Sequence, residues 1–211
     1  MDRGLLILLS GPAGIGKSAV SDMVCADTSL SILKSISYTT REPKEFEREG
    51  RNFFFVNEDE FQRLESSGEL LESSEFLGNR YGTRKCWVED QLAHGHNILI
   101  NLDVEGAKEL LTLYDGPRTL SFFIKLKDLD SMERKLRLHG EEQIEERLKL
   151  AEKDMESESL FDCVVESYTI QLTADQIRTV IHNVEQRGFK DPDLKKGTVF
   201  RAGSFLKAEE D

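Results

Sequence analysis

Gly11, Gly16, Lys17 and Ser18 stand at the G-x-x-x-x-G-K-[ST] spacing of a phosphate-binding P-loop. The residue types fit the chemistry. The glycines let backbone N–H groups turn inward onto phosphate oxygens, with Pro12, Ala13, Gly14 and Ile15 completing the loop. Lys17 reaches the outer phosphates, and the Ser18 hydroxyl is an oxygen ligand for the Mg²⁺ that accompanies ATP. Chance alone produces the bare pattern in roughly one chain of this length per hundred. Here the surroundings are those the motif requires. Leu5 to Leu9 form a continuous apolar run, as a parallel strand buried on both faces demands, and Ala19, Val20, Met23 and Val24 recur at helical spacing behind the loop. A helix there adds its positive N-terminal end to the same cradle.

The elements that must hold this loop recur along the chain. Hydrophobic patterning predicts strands over 4–10, 33–39, 53–56, 70–76, 81–85, 98–103, 120–126 and 161–165. Helices are predicted over 17–27, 58–66, 84–94, 104–114, 129–139, 141–157 and 173–186. Such alternation gives an α/β domain with a mainly parallel sheet flanked by helices. Residues 188–211 show little periodicity and read as a loosely held tail, in which Val199, Phe200, Phe205 and Leu206 could dock.

Composition narrows the partners. A chain of 211 residues, 38% hydrophobic and 32% charged, is long enough for one domain with a sizeable core. Lys and Arg total 28 against 40 for Asp and Glu, a formal charge of −12, which argues against nucleic acid or an anionic membrane. A phosphate site must then be a local basic pocket in an acidic surface. The three cysteines, Cys25, Cys86 and Cys163, have neither metal-ligand nor redox spacing, so free thiols in a reducing compartment are expected. The opening apolar run is too short for a secretory signal and meets the P-loop without a cleavage region. No run approaches the 18 or more apolar residues of a membrane span. A cytoplasmic protein, monomer or weak dimer, is expected.

A P-loop specifies phosphate, not a reaction. The narrowing comes from Ser37-Tyr38-Thr39-Thr40-Arg41-Glu42-Pro43-Lys44, from Glu72, from Gly78-Asn79-Arg80-Tyr81-Gly82-Thr83 and from Leu102-Asp103-Val104-Glu105-Gly106. In order and spacing behind the P-loop these resemble the guanylate kinases, from about Leu5 to Val184, with S-x-T-T-R-x-P and G-N-x-Y-G-T the most specific parts. The resemblance implies a P-loop NTPase core over 1–36 and 97–187, a GMP-binding insertion over about 37–96 and a helical lid over about 134–150. It implies the transfer of a phosphoryl group from ATP, with Mg²⁺, to GMP. It places Glu72 on guanine, with Ser37, Thr83 and Asp103 as further polar readers. Arg41, Lys44, Phe53 and Tyr81 fall where the family grips the GMP phosphate, and Arg134, Lys135, His139 and Arg147 fall in the lid. Lys17, Arg41, Lys44 and Arg147 would then serve the transfer.

The chemistry agrees with the resemblance. Guanine offers two adjacent donors, and an ionised carboxylate accepts both. Adenine would leave that carboxylate unpaired, a mismatch giving discrimination of roughly 10⁴. Phosphoryl transfer needs alignment and charge stabilisation more than a covalent group.

Several positions depart from the family pattern. Lys44 stands where an arginine is expected and Phe53 where a tyrosine hydroxyl meets the phosphate. A hydrogen bond to a charged group contributes roughly 1.5–3 kcal/mol, so weaker GMP binding is expected. Lys135 and His139 replace arginines, the connection at Gly140-Glu141 is about three residues short, Asn101 replaces an acid, and Ser167 replaces an asparagine near the adenine. Arg134 or Arg137 could stand in for His139 if the short lid shifts register. One lost transition-state donor costs roughly 10²–10³ in rate. Two other functions compete with an active kinase: a guanylate-kinase-like binding module, and a P-loop kinase for another small acceptor. The intact Gly11, Gly16, Lys17 and Ser18 oppose the first; Glu72, Ser37 and Asp103 together oppose the second.

Overall fold

Every residue of β1 (Leu6–Ser10) is buried, because the strand lies inside a sheet covered on both faces. Leu5, Ile7 and Leu9 enter one apolar cluster, and Leu6 and Leu8 the other, the period-two alternation of a pleated strand. The computed structural model describes residues 3–114, 116, 118–126, 128–138, 140–167, 169–187 and 198–200. After β1 come α1 (Lys17–Cys25), β2 (Ile32–Lys34), β3 (Tyr38–Thr39), β4 (Phe54–Phe55), α2 (Glu58–Ser66), β5 (Leu70–Phe76) and β6 (Asn79–Arg84). Then follow α3 (Lys85–Ala93), β7 (Asn97–Asn101), α4 (Val104–Leu113), β8 (Thr119–Leu126), α5 (Leu129–Leu138) and α6 (Ile144–Met155). The series ends with β9 (Cys163–Ser167), α7 (Ile170–Arg187) and β10 (Thr198–Phe200).

Six strands form a parallel sheet in the order β10-β9-β8-β1-β7-β2. Val20, Met132, Ala151 and Ile177 bring α1, α5, α6 and α7 onto one face, while Val88, Leu92, Ala107 and Leu110 bring α3 and α4 onto the other. Strand order departs from β1 in both directions, to β7 on one side and β8 on the other. Open α/β sheets form their ligand crevice beyond the carboxyl ends of the strands at such a switch point. The loop after Ser10 opens there.

A second sheet, β4-β3-β6-β5, is mixed: β3 runs parallel to β4, and β6 antiparallel to both β3 and β5. Leu77 and Gly78, at φ 49° and 72°, make the left-handed pair that closes the β5–β6 hairpin. Asn57 caps α2 by accepting from Glu60 N–H at 2.8 Å, which fixes its start at the predicted residue.

The predicted strand 33–39 is two strands in two sheets. Ser35 N–H makes a last bond to Leu99 O at 2.9 Å, and two residues on Ser37 O accepts from Phe54 N–H at 2.9 Å, so the chain changes sheets between them. Helix α6 begins at Ile144 rather than 141 because Gly140 and Gln143 are left-handed, at φ 64° and 54°. Phe161 lies outside β9 and packs on Phe123, with ring centroids 5.2 Å apart. Helix α7 starts three residues early, with Thr169 Oγ1 accepting from Leu172 N–H at 3.2 Å. Most of 188–211 lies outside the described residues, but Thr198–Phe200 pairs in parallel with Cys163–Val165. Val199 and Phe200, two of the tail residues with the apolar character to dock, lie in that short edge strand. Cys25, Cys86 and Cys163 are free thiols. No helix among the described residues is long and apolar enough to cross a membrane.

Candidate active site

The loop beyond β1 turns through Gly11, Gly14 and Gly16 at φ 134°, 83° and 105°. Side chains are excluded there on conformation and on space: a Cβ on Gly11 would stand 2.3 Å from Ile124 O. The N-terminus of α1 follows at once, directing unpaired N–H groups into the loop. Lys17 Nζ donates to the carbonyl oxygens of Gly11 and, at 3.1 Å, Pro12. Burial pushes this ammonium down to about 8, against the raising charges of Asp103 and Asp154. Burial in turn raises Asp154 to about 6, against the pull of Lys17.

Ser18 is exposed on the first turn of α1. One turn on, Ser21 Oγ donates to Ser18 O at 2.9 Å and accepts from Asn101 Nδ2 at 2.9 Å. The other amide atom, Asn101 Oδ1, is buried and has no partner among the described residues.

A second cluster lies where β5 and β6 meet α4. Glu72 on β5 is 4% exposed, and Thr83 Oγ1 on β6 donates to its Oε1 at 2.6 Å. Asp103 caps α4, accepting from Gly106 N–H at 2.7 Å and from Ser74 Oγ at 2.6 Å. A Cβ on Gly106 would stand 2.6 Å from Glu72 Oε2 and 3.2 Å from Asp103 Oδ1, so both carboxyls converge on bare backbone. Burial pushes Glu72 up to about 8, the Thr83 hydrogen bond opposing and the Asp103 charge adding. Ser37 and Thr83 flank the Tyr38–Gly82 pair between β3 and β6, which brings Ser37 to the same end of the small sheet.

The predicted phosphate clamp is joined by carboxylates. Arg41 gives Glu47 a two-pronged contact, 2.9 Å to each oxygen, and lies 5.5 Å over the Phe53 ring, itself edge-on to Tyr81 at 5.9 Å. Lys44 N–H donates to Glu47 Oε2 at 2.8 Å, and Lys44 Nζ meets Glu141 Oε1 at 2.7 Å. Glu141 Oε2 lies 3.2 Å from Arg147, whose Nε donates to Glu142 O at 2.8 Å. Arg41, Lys44 and Arg147 thus come together through three ion pairs, the Arg41–Glu47 pair being tied to the other two by the Lys44 backbone N–H. Arg134 and Arg137 do not join it: on α5 they bond to Ser131 and Glu133. Lys135 is half-buried on the same helix. His139 and the Ser167 side chain lie outside the described residues.

Glu47, Glu141 and Asp154 are not singled out by sequence. The first two sit in charge-rich connections without periodicity. Asp154 offers one signal: it stands three residues after Ala151, on the apolar face of α6.

Among solved structures, the chain is similar to the guanylate kinase from Anaplasma phagocytophilum, at 29% identity over 88% of each chain and a TM-score of 0.74. Similarity to the shikimate kinase from Aquifex aeolicus is weaker, 17% identity over 87% of this chain and 100% of that one, with a TM-score of 0.46. The guanylate kinase family pattern matches residues 3–186. With the P-loop at the switch point of a parallel sheet and that match running from β1 into α7, the chain belongs to the guanylate kinase family, with the nucleotide-kinase fold.

Proposed function

We propose that the protein is an ATP:GMP phosphotransferase, carrying the γ-phosphoryl group of ATP to GMP and releasing ADP and GDP. One observation carries the acceptor: the buried Glu72 carboxyl, bonded to Thr83 and set against Gly106 beside Asp103. A lone surface glutamate has no such setting. Ionised Glu72 accepts the two adjacent donors of guanine, and those bonds offset the desolvation that keeps it protonated in the free protein. Adenine supplies no such donor pair.

At the donor side, Lys17 follows the moving phosphoryl group, and phosphate charge raises its ammonium from about 8 back into the fully charged range. Ser18, Asp103 and the unpartnered Asn101 Oδ1 are all oxygen donors, the set a hard cation takes, so Ser18 would hold Mg²⁺ with Asp103 and Asn101 nearby. Bound Mg²⁺ neutralises and aligns phosphate oxygens. Arg41 and Lys44 hold the acceptor phosphate, Tyr81 supports Arg41 through Phe53, and Arg147 supplies lid charge to the transferring group.

The test is ADP formation from ATP and Mg²⁺ with GMP, AMP, CMP or UMP as acceptor, beside a Lys17→Ala control. GMP-dependent turnover that vanishes in the control is expected. Turnover with another acceptor, at the GMP level or above, sinks the proposal. A binding module is the second possibility, favoured by the carboxylates already held by Arg41, Lys44 and Arg147. It would bind GMP without turnover.

A further inference from the structure

Glu141 occupies the short connection between α5 and α6, and the backbone fixes its place. Gly140 N–H donates to Arg137 O at 3.1 Å and Glu141 N–H to Leu136 O at 3.0 Å, the paired bonds that close a helix over a left-handed glycine. Gln143, also left-handed, opens α6, and its carbonyl accepts from Arg147 N–H at 3.0 Å. The carboxylate therefore projects from a corner turned by two left-handed residues. One oxygen meets Lys44, 97 residues away in sequence, and the other meets Arg147. Arg147 is held on further sides by the Glu142 carbonyl and by the Phe76 ring at 5.7 Å, and is 17% exposed.

We propose that Glu141 is a positioning residue: a latch that fastens the lid to the acceptor insertion and sets Arg147 for transfer. The role of Arg147 rests on the phosphotransferase assignment; the latch rests on the ion-pair geometry. The short connection between α5 and α6 carries Glu141 to the insertion, where Lys44 meets it. A lysine ammonium has three separable donors, so it can hold Glu141 with one and keep others for an acceptor phosphate, whereas an arginine fork presents its donors in one fixed plane. Isolated surface pairs contribute little to stability. This one joins half-buried Glu141 and Arg147 of the lid to the more exposed Lys44 of the insertion, so its effect falls on the balance between open and closed lid rather than on overall stability.

The test uses spin labels at Phe46→Cys and Leu138→Cys, exposed positions on insertion and lid, with Cys25→Ser and Cys86→Ser as background. Without nucleotide at low salt, a single narrow distance distribution is expected. Glu141→Gln should shift it to longer and broader values, and about 1 M salt should do the same to the parent by screening. Unlabelled Glu141→Gln should lower kcat on the order of tenfold with the KM for GMP changed less than about twofold. A distribution unmoved by Glu141→Gln, in a variant with unchanged thermal midpoint, overturns the latch. A latch that opens as expected in a protein without GMP-dependent turnover keeps this inference and sinks the phosphotransferase assignment instead.

Discussion

Replacing Glu72 with glutamine should make the protein more stable and less able to bind GMP. The carboxyl is 4% exposed and its pKa is pushed from 4.5 up to about 8, first by burial. In the unfolded chain the group ionises above pH 4.5, while the folded protein keeps the proton until about 8. Folded stability is therefore full below 4.5 and falls as pH rises through that window. At pH 7 the loss amounts to about 3 kcal/mol, taking 1.36 kcal/mol per unit over roughly 2.5 units. Glutamine has no charge to desolvate. Its carbonyl oxygen can accept from Thr83, and its amide faces the Asp103 carboxylate across Gly106. Urea unfolding of parent and Glu72→Gln at pH 5, 6 and 7 measures the difference. The advantage of the variant should be under about 1 kcal/mol at pH 5 and grow to about 2–3 kcal/mol at pH 7. GMP titration should show affinity lost by at least about tenfold, since one guanine donor meets an amide donor. A gap between the two proteins that stays flat from pH 5 to 7 would refute the buried-carboxyl argument, as would a variant less stable than the parent at pH 7.

Three further outcomes follow from the site. With Glu72 as the proposed guanine acceptor, GMP binding needs it ionised, so affinity should rise with pH and level off above about 8, with a proton released per GMP bound near pH 7; calorimetry in buffers of different ionisation enthalpy checks this, and no proton release contradicts it. Phe53→Tyr should lower the KM for GMP, because a hydroxyl beside Arg41 and Tyr81 adds a donor to the phosphate worth about 1.5–3 kcal/mol, roughly ten- to a hundredfold; steady-state kinetics with GMP as the varied substrate decide it. Gln143→Gly removes a non-glycine residue from the left-handed region at the start of α6 and should raise stability by about 0.5–1 kcal/mol, read as a higher thermal midpoint.

Legibility tracked how local the cause was. The P-loop, its strand and α1 were plain because an eight-residue pattern sits between two uninterrupted periodicities. Helix α2 was placed to the residue because Asn57 and its acidic first turn are local signals. The division of 33–39 into two sheets was not legible, since apolar Leu33, Ile36 and Tyr38 recur among polar residues along the whole stretch and only the remote partners Leu99 and Phe54 decide where the strand breaks. Likewise Thr198–Phe200 has no pattern of its own and acquires strand structure from the edge of β9. At the site, Glu72, Thr83 and Asp103 could be named because the resemblance to the guanylate kinases marks them. The backbone clearance at Gly106 could not, as it depends on a carboxyl 34 residues earlier approaching to within contact.

On the proposed function, the acceptor site divides into a guanine half and a phosphate half with opposite electrostatics. Around guanine, a carboxyl is buried without a cation, held neutral in the free protein, and waits for a ligand that supplies donors. Around the phosphate, cations are present but already share carboxylates, and an incoming dianion must compete with Glu47 for Arg41. The family departures Lys44 and Phe53 fall in the second half alone. Their cost therefore falls on grip and rate, since it is felt equally by any nucleoside monophosphate. On the same proposal, base discrimination depends on Glu72 and is untouched by them. A slow protein that still prefers GMP over AMP by orders of magnitude is the combination this division requires, and loss of both together would mean that the two halves are coupled through something other than the bound nucleotide.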